Sequence, residues 1–342
     1  MRKVLVIQTA SIGDVVLATS LLEELHKEYF DIYILVKKEN ESLFEGHPFV
    51  HTLVWNKSFH KYRNLVWVVL TVFFKRFDFV FDIQRYLSTG IITVLTGSHT
   101  TGFKENPMSL FFSKRVEHGL KLKDLQPTNR VITLQQRHPL HEVERNFLLL
   151  QSMTLKEKPF KLRPKLYITE EVEAATQQYK EKTYYTISPS SLWPTKTFHK
   201  EGWIELIKHV ADDRVVYLLG SEKDSALCED ILRKSERQNV VSLAGKLSYL
   251  QSASLMKDAK MNYTNDSAPT HFASAVNAPV TTVFCSTIPD FGFGPLSDDS
   301  LIVQTEERLS CRPCSLHGRK KCPKKNFPCC STIDIQKLID RL

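Results

Sequence analysis

The sequence predicts an α/β protein built from two doubly wound domains. Three observations lead there. Short apolar runs alternate with stretches of helical periodicity in both halves of the chain. A charged, proline-bearing segment, Lys156 to Pro164, separates the halves and reads as an interdomain linker. The length, 342 residues, suffices for two domains of ordinary size.

In the first half, Lys3 to Gln8 is a buried strand, Thr9 to Asp14 a turn, and Val15 to Tyr29 a helix with apolar Val15, Ala18, Leu21, Leu22 and Leu25. Asp31 to Val36 and Val50 to Trp55 are strands. Residues 61 to 75 are helical, with Trp67, Leu70 and Phe74 on one face, and Asp78 to Ile83 is a strand. Residues 104 to 135 mix Lys, Pro and aromatics without a period. A helix restarts at His141. In the second half, strands are expected at Tyr184 to Ser188, Val215 to Leu219, Val240 to Leu243, Ala259 to Tyr263 and Pro279 to Phe284. Helices fall at about Lys200 to Val210, Asp224 to Lys234 and Leu247 to Lys257, with a last short one over Ile333 to Leu342. Such alternation implies parallel sheets covered on both faces.

Hydrophobic content of 42% and charged content of 25% are those of a soluble globular protein. The run Leu65 to Phe74 is too short to span a bilayer. Arg2 to Ile7 looks like a signal start, but the run stops at Gln8 and Asp14 follows, so a first strand and a cytosolic chain are expected. The net charge of +8 favours phosphate-bearing partners: nucleic acid, nucleotide or anionic lipid. A generally basic surface is the bland alternative.

The stretch Thr264-Asn265-Asp266-Ser267-Ala268-Pro269-Thr270-His271 is a loop feeding a helix, with Asp266 or Ser267 as N-cap and Pro269 in the first turn. Free N–H groups there favour an anion, and in open α/β sheets ligands bind at this kind of turn. Mere capping is the competing reading. Ser188 to Phe198 carries Ser190, Ser191 and Lys196 after a strand, groups able to hold a phosphate. Glu222 sits where an acid can hold ribose hydroxyls, or can cap the following helix. In the first βα turn, Gly13 stands without a G-x-G-x-x-G pattern, which argues against a dinucleotide fingerprint, and a Walker A loop is absent. The turn presents Ser11 and Asp14 instead; Asp14 is either a dipole-stabilised helix start or a general base.

At this point the chain resembles the ADP-heptose:lipopolysaccharide heptosyltransferases, glycosyltransferase family 9. The likeness lies in Ser11-Ile12-Gly13-Asp14-Val15 with Leu17-Ala18-Thr19, Asp78 to Gln84, His141 to Asn146, Trp193-Pro194-Thr195-Lys196, Gly220-Ser221-Glu222 and Asp266 to His271. Cys311-Arg312-Pro313-Cys314 is similar to the family's C-terminal region. The stretches keep their order over nearly the whole chain. The resemblance implies a GT-B fold: two facing Rossmann-like domains, residues 1–160 for the acceptor and 161–332 for the nucleotide-sugar, with a C-terminal helix, 333–342, returning to the first. It implies an inverting transfer that requires no metal or other cofactor, from ADP-heptose or a similar donor. Asp14 matches the base and Lys196 the phosphate-binding lysine. Glu222 matches a ribose contact, and Asp266, Ser267, Ala268 and His271 match the turn at the donor diphosphate and sugar, with Ser190 and Ser191 beside them.

The acceptor it implies is a lipid-linked core oligosaccharide, reached by a peripheral protein at the inner face of the cytoplasmic membrane; nucleic acid is not among the implied partners. Acceptor-side candidates are Ser11, Gly13, Lys57, His60, Lys61, Arg63 and Arg85; the competing reading of the Lys, His and Arg side chains is that they solvate the surface. Exposed aromatics such as Phe111 and Phe112 would assist at the membrane. The chain departs from the family at Ala268, where Gly is usual; if that position needs positive φ, Ala costs about 1 kcal/mol. It departs also at Thr197-Phe198-His199 and Ser20. The rivals are a basic, metal-containing nucleic-acid-binding protein and a dinucleotide-dependent oxidoreductase.

Five of seven cysteines lie in Cys311-x2-Cys314-x7-Cys322-x6-Cys329-Cys330. Cys311, Cys314, Cys322 and Cys329 could hold a structural zinc, their thiol pKa values lowered by nearby Lys and Arg; free thiols are the alternative. Either way the segment is expected to brace the second domain.

Overall fold

The computed structural model describes residues 1–57, 61–120, 140–154, 157–159 and 161–342, without the side chains of Lys61 and Tyr62. The expected candidate His60 lies outside the described residues, as does the side chain of Lys61. The chain divides into two compact units: Met1–Gly119 with Glu142–Tyr167, and Leu120–His141 with Ile168–Leu342.

The first unit is a parallel sheet of β1 (Lys3–Ile7), β2 (Asp31–Lys37), β3 (Val50–Trp55), β4 (Phe79–Asp82), β5 (His99–Phe103) and β6 (Lys114–Val116), in the order β3-β2-β1-β4-β5-β6. Its helices are α1 (Ile12–His26), α2 (Lys61–Lys75), α3 (Leu87–Val94) and α4 (Glu142–Thr154). β1 and β4 are neighbours although their connections run in opposite directions across the sheet, so the chain reverses its winding between them. The register sets Ile7 level with Asp82, and both strands therefore end at the same height. That reversal is where a doubly wound sheet opens a crevice.

The second unit repeats the plan with α5 (Glu170–Thr176), β7 (Tyr184–Ser188), α6 (Lys200–Lys208), β8 (Val215–Leu218), α7 (Ser225–Ser235), β9 (Val240–Ser242), α8 (Tyr249–Lys257), β10 (Met261–Asn265), α9 (Ala268–Ala275), β11 (Val280–Phe284) and β12 (Ser300–Gln304). α10 (Pro328–Ser331) and α11 (Gln336–Ile339) follow. The order is β12-β11-β10-β7-β8-β9, and Thr264 pairs with Ser188, so the reversal falls between β10 and β7. The core collects Tyr185, Ile187, Trp203, Leu206, Val283 and Leu338.

Several expectations shift. The first unit extends to Tyr167, beyond the expected boundary at 160, because Leu162 and Leu166 are buried, Lys165 N–H donates to Thr19 Oγ1 at 2.8 Å and Tyr167 OH donates to Glu23 Oε1 at 2.9 Å. β10 lies two residues later than expected. Its buried polar groups are satisfied: Asn262 donates to the Met256 and Pro279 carbonyls at 2.9 and 2.8 Å and accepts from Thr186 Oγ1. The final helix is shorter than 333–342 and packs on the second unit's core, where the Leu338 carbonyl accepts from Tyr263 OH at 3.2 Å. Phe112 is buried rather than exposed: its ring lies where a Cβ on Gly102 would stand, 2.5 Å away.

Candidate functional site

In the first unit, Ser11 is the N-cap of α1 and Asp14 its third residue. The Asp14 carboxylate accepts from Ser11 N–H at 3.2 Å and from Ser11 Oγ at 2.5 Å, which satisfies two groups at the helix start. Asp14 is half-buried, Ser11 exposed and Gly13 buried. Lys57 reaches the same turn: its Nζ donates to Thr9 Oγ1 at 3.1 Å and lies 4.0 Å from the centre of the Trp55 ring. Arg85 follows β4 and is half-buried, whereas Arg63 is exposed on α2.

Beneath this turn lies a buried polar layer that reading the sequence left without a role. Gln84 Nε2 donates to Gln8 Oε1, and that same oxygen accepts from Ala10 N–H at 3.2 Å, so the ends of β1 and β4 are tied across the reversal. Asp82 is fully buried and accepts from Gln84 N–H at 3.0 Å, Asn106 Nδ2 at 2.9 Å and Thr93 Oγ1 at 3.2 Å. Burial pushes its pKa up to about 7, against the lowering by these donors. A second buried carboxylate, Glu142, behaves oppositely. Burial alone would raise it, but His118 and Arg145, at 3.2 and 3.1 Å, hold it down at about 2. The only sequence signal for these groups was membership of the stretches Asp78–Gln84 and His141–Asn146.

In the second unit the reversal carries a cation. Lys196 Nζ lies 2.7 Å from Asp266 Oδ2, with both side chains largely buried, and Thr287 Oγ1 donates to the same oxygen at 2.5 Å. The two loops are joined further. Asn265 Nδ2 donates to the Ser188 and Ser190 carbonyls at 3.2 and 3.3 Å, its Oδ1 accepts from Phe198 N–H at 2.8 Å, and Ser191 Oγ reaches the Asp266 carbonyl at 3.5 Å. Ser190, Ser191, Lys196, Asp266, Ser267 and Ala268 are thus brought together at the adjacent ends of β7 and β10. Ala268 opens α9 and is not among the residues with positive φ, so the change from Gly carries no backbone strain. His271 is buried, and burial, with His141 and Lys196 nearby, lowers its pKa to about 3. Burial thus favours its neutral form.

Glu222 is exposed at the end of β8, the strand beside β7. Gly245, with φ of +75°, lies against it: a Cβ there would come within 3.0 Å of Glu222 Cα. Gly245 N–H also donates to the Gly220 carbonyl at 2.9 Å, so a glycine sets the position of Glu222.

The cysteine segment, expected to brace the second domain, lies against the lysine loop and bonds it through backbone groups. Arg319 N–H donates to Thr195 Oγ1 at 2.7 Å, Thr195 N–H donates to the Arg319 carbonyl at 3.2 Å, and Ser286 Oγ donates to Thr195 Oγ1 at 3.0 Å. Gly318, with φ of +86°, lets the segment approach Lys196; a Cβ there would meet Lys196 Cγ at 2.9 Å. Arg312 donates to the carbonyls of Cys285 and Thr287, both at 2.7 Å. The expected zinc site does not fit. Among the described residues no group of three or more His, Cys, Asp or Glu could hold a metal, and all seven cysteines are free. Nor are the thiols at Cys314 and Cys329 acidified as expected. Burial raises both, Cys329 to about 12, outweighing Arg312.

With that geometry in hand, comparison with known proteins is specific. Lipooligosaccharide heptosyltransferase 2 of Haemophilus influenzae is 32% identical over 122 residues, which is 35% of this chain and 34% of that one. Lipopolysaccharide heptosyltransferase 1 of Campylobacter coli is 22% identical over 352 aligned positions, covering 99% of this chain and 98% of that one. The structure of ADP-heptose lps heptosyltransferase II of E. coli superimposes with a TM-score of 0.77 at 22% identity, covering 99% and 97% of the two chains, which shows the fold to be of the GT-B class. The sequence profile of glycosyltransferase family 9 (heptosyltransferase) matches residues 71–325. That match spans more than half of the chain, and the chain belongs to glycosyltransferase family 9, the heptosyltransferases.

Proposed function

We propose that this chain transfers heptose from ADP-heptose to a sugar of a lipid-linked lipopolysaccharide core, with inversion and without a metal. The observation that carries the reading is the largely buried Lys196–Asp266 pair at the reversal of the second sheet, bordered by Ser190, Ser191 and the start of α9. A leaving diphosphate is an anion, and a preorganised ammonium and helix N-terminus stabilise it as the charge develops. Glu222, held by Gly245, takes the ribose hydroxyls. Asp14 takes the proton of an acceptor hydroxyl as its oxygen bonds to the anomeric carbon; the bond from that carbon to the diphosphate breaks, and ADP departs with the electron pair. Ser11 and Lys57 hold the acceptor side of the first turn. Calorimetric titration tests the donor part: ADP should bind, while NAD and a short DNA duplex should not. Transfer should continue at an unchanged rate in excess chelator. Binding of duplex without ADP would return the reading to a nucleic-acid-binding protein.

A further inference from the structure

Helix α2 has two apolar faces, and only one is used. Val68 and Val72 are buried against the first sheet with Leu65 and Val69 beside them, the spacing of an ordinary core-facing stripe. The other stripe is Val66, Trp67, Leu70, Phe73 and Phe74, and all five are exposed, Trp67 by 60% and Phe74 by 73%. A contiguous exposed stripe of this kind marks an interaction surface. α2 packs on α3, whose Leu87 is exposed, and Gly90 of α3 closely abuts Asn106 and Met108, just before the exposed Leu110 and Phe111.

The charges around the stripe select its occupant. No acidic residue occurs between Glu45 and Asp78, and the interval holds Lys57, Lys61, Arg63, Lys75 and Arg76. Cations therefore flank both ends of α2. A second copy of this chain would bring cations against cations, whereas an anionic lipid surface is complementary. At 15 residues the helix is about 22 Å long, too short to cross a bilayer but suited to lying in its interface. We infer that the Trp67–Phe74 face of α2 docks on a membrane leaflet rich in anionic lipid; the inference rests on the proposed lipid-linked acceptor. Trp67 and the two phenylalanines enter the headgroup boundary, and the flanking Lys and Arg meet the phosphates.

The test uses the full chain and vesicles of phosphatidylethanolamine and phosphatidylglycerol at about 7:3, against phosphatidylcholine alone. Wild type should float with the anionic vesicles and be released by salt, and the Trp67→Ser, Phe73→Ser, Phe74→Ser triple variant should partition at least ~10-fold more weakly. Trp67 is exposed, Trp55 and Trp203 are buried, and the half-buried Trp193 belongs to the lysine loop of the second unit, so a blue shift of fluorescence on vesicle binding should vanish in Trp67→Phe while flotation persists. Transfer is measured on a delipidated core oligosaccharide and on the intact glycolipid in vesicles. The triple variant should match wild type on the first, which shows it folded, and fall ~10-fold on the second. Unchanged flotation of the triple variant, or a wild-type dimer that these substitutions dissociate, overturns the inference. Vesicle docking through α2 with no transfer to either acceptor overturns the proposed reaction and leaves the docking surface standing.

Discussion

Each unit places a carboxylate beside the reversal of its sheet, after the first strand in one and after the fourth in the other, and the two have different surroundings. Asp14 and Asp266 each follow the strand beside a sheet reversal and precede or open a helix. Asp14 is half-buried and takes hydrogen bonds from the N–H and hydroxyl of Ser11. Asp266 is buried, paired with Lys196 and bonded by Thr287. A carboxylate that accepts hydrogen bonds and stays accessible can still take a proton. One neutralised by an ammonium is a structural counter-charge that holds a cation in place. The comparison teaches that the position in a doubly wound sheet offers a site, and the neighbours decide what it does.

The largest effect that could break this contrast is on turnover. Asp14→Asn should lower kcat roughly 100-fold or more, with ADP affinity retained in calorimetry. Near-normal turnover would remove Asp14 as the base. The next effect is on stability. Lys196→Met strands a buried Asp266 carboxylate and should cost about 3 kcal/mol in urea unfolding, as well as ADP affinity. Adding Asp266→Asn should recover much of the stability but not the affinity. If the double variant is no more stable than the single one, Asp266 is not a counter-charge.

A smaller effect concerns pH. Folded Asp82 keeps its proton up to about 7, while the unfolded chain releases it near the ordinary carboxylate value of 3.8. The folded state binds more protons in that window, so this group's contribution is full below the window and is lost as pH rises through it. Glu142 runs the other way: its contribution is present above the ordinary 4.5 and lost as pH falls toward about 2. Urea midpoints should show Asp82→Asn losing the decline between about pH 4 and 7 while keeping the acid limb. The smallest effect is that of Thr287→Val, which removes one hydrogen bond to Asp266 and should cost about 1 kcal/mol, leaving Asp14-dependent chemistry intact.

The sequence read best where hydropathy and geometry agree. β3, β7 and α2 were placed as found, because apolar alternation or periodicity is all that such elements need. β5 was missed because His99-Thr100-Thr101-Gly102-Phe103 shows no apolar run; its threonines are buried, and Gly102 is the space that admits Phe112. β10 was misplaced because Asn262 and Asn265 are buried amides whose partners lie on α8, on β7 and in loops. At the site, Asp14, Lys196, Glu222 and the Asp266 turn were legible as polar residues at strand ends. The Lys196–Asp266 pairing was not, since it joins residues far apart in the chain. Gly245 carried no local signal for the same reason, and Thr195 was legible only as part of the Trp193-Pro194-Thr195-Lys196 stretch. His271 was read as part of the donor turn, and its burial, which one sequence does not display, favours the neutral form.

The strap between Arg319 and Thr195 has a consequence for how the protein is made. The two residues are 124 positions apart, and Thr195 Oγ1, which also accepts from the earlier Ser286 hydroxyl, gains the Arg319 N–H only once Arg319 has been added to the chain. During synthesis the first unit can fold as soon as Tyr167 has emerged, whereas the lysine loop waits for a segment made much later. A nascent chain halted before Gly318 would present a nearly complete second sheet whose Lys196 loop lacks its backing. Under the proposed function, ADP binding should therefore appear only after the segment around Arg319 has left the ribosome. A finished lysine loop then reports that the cysteine segment has been translated.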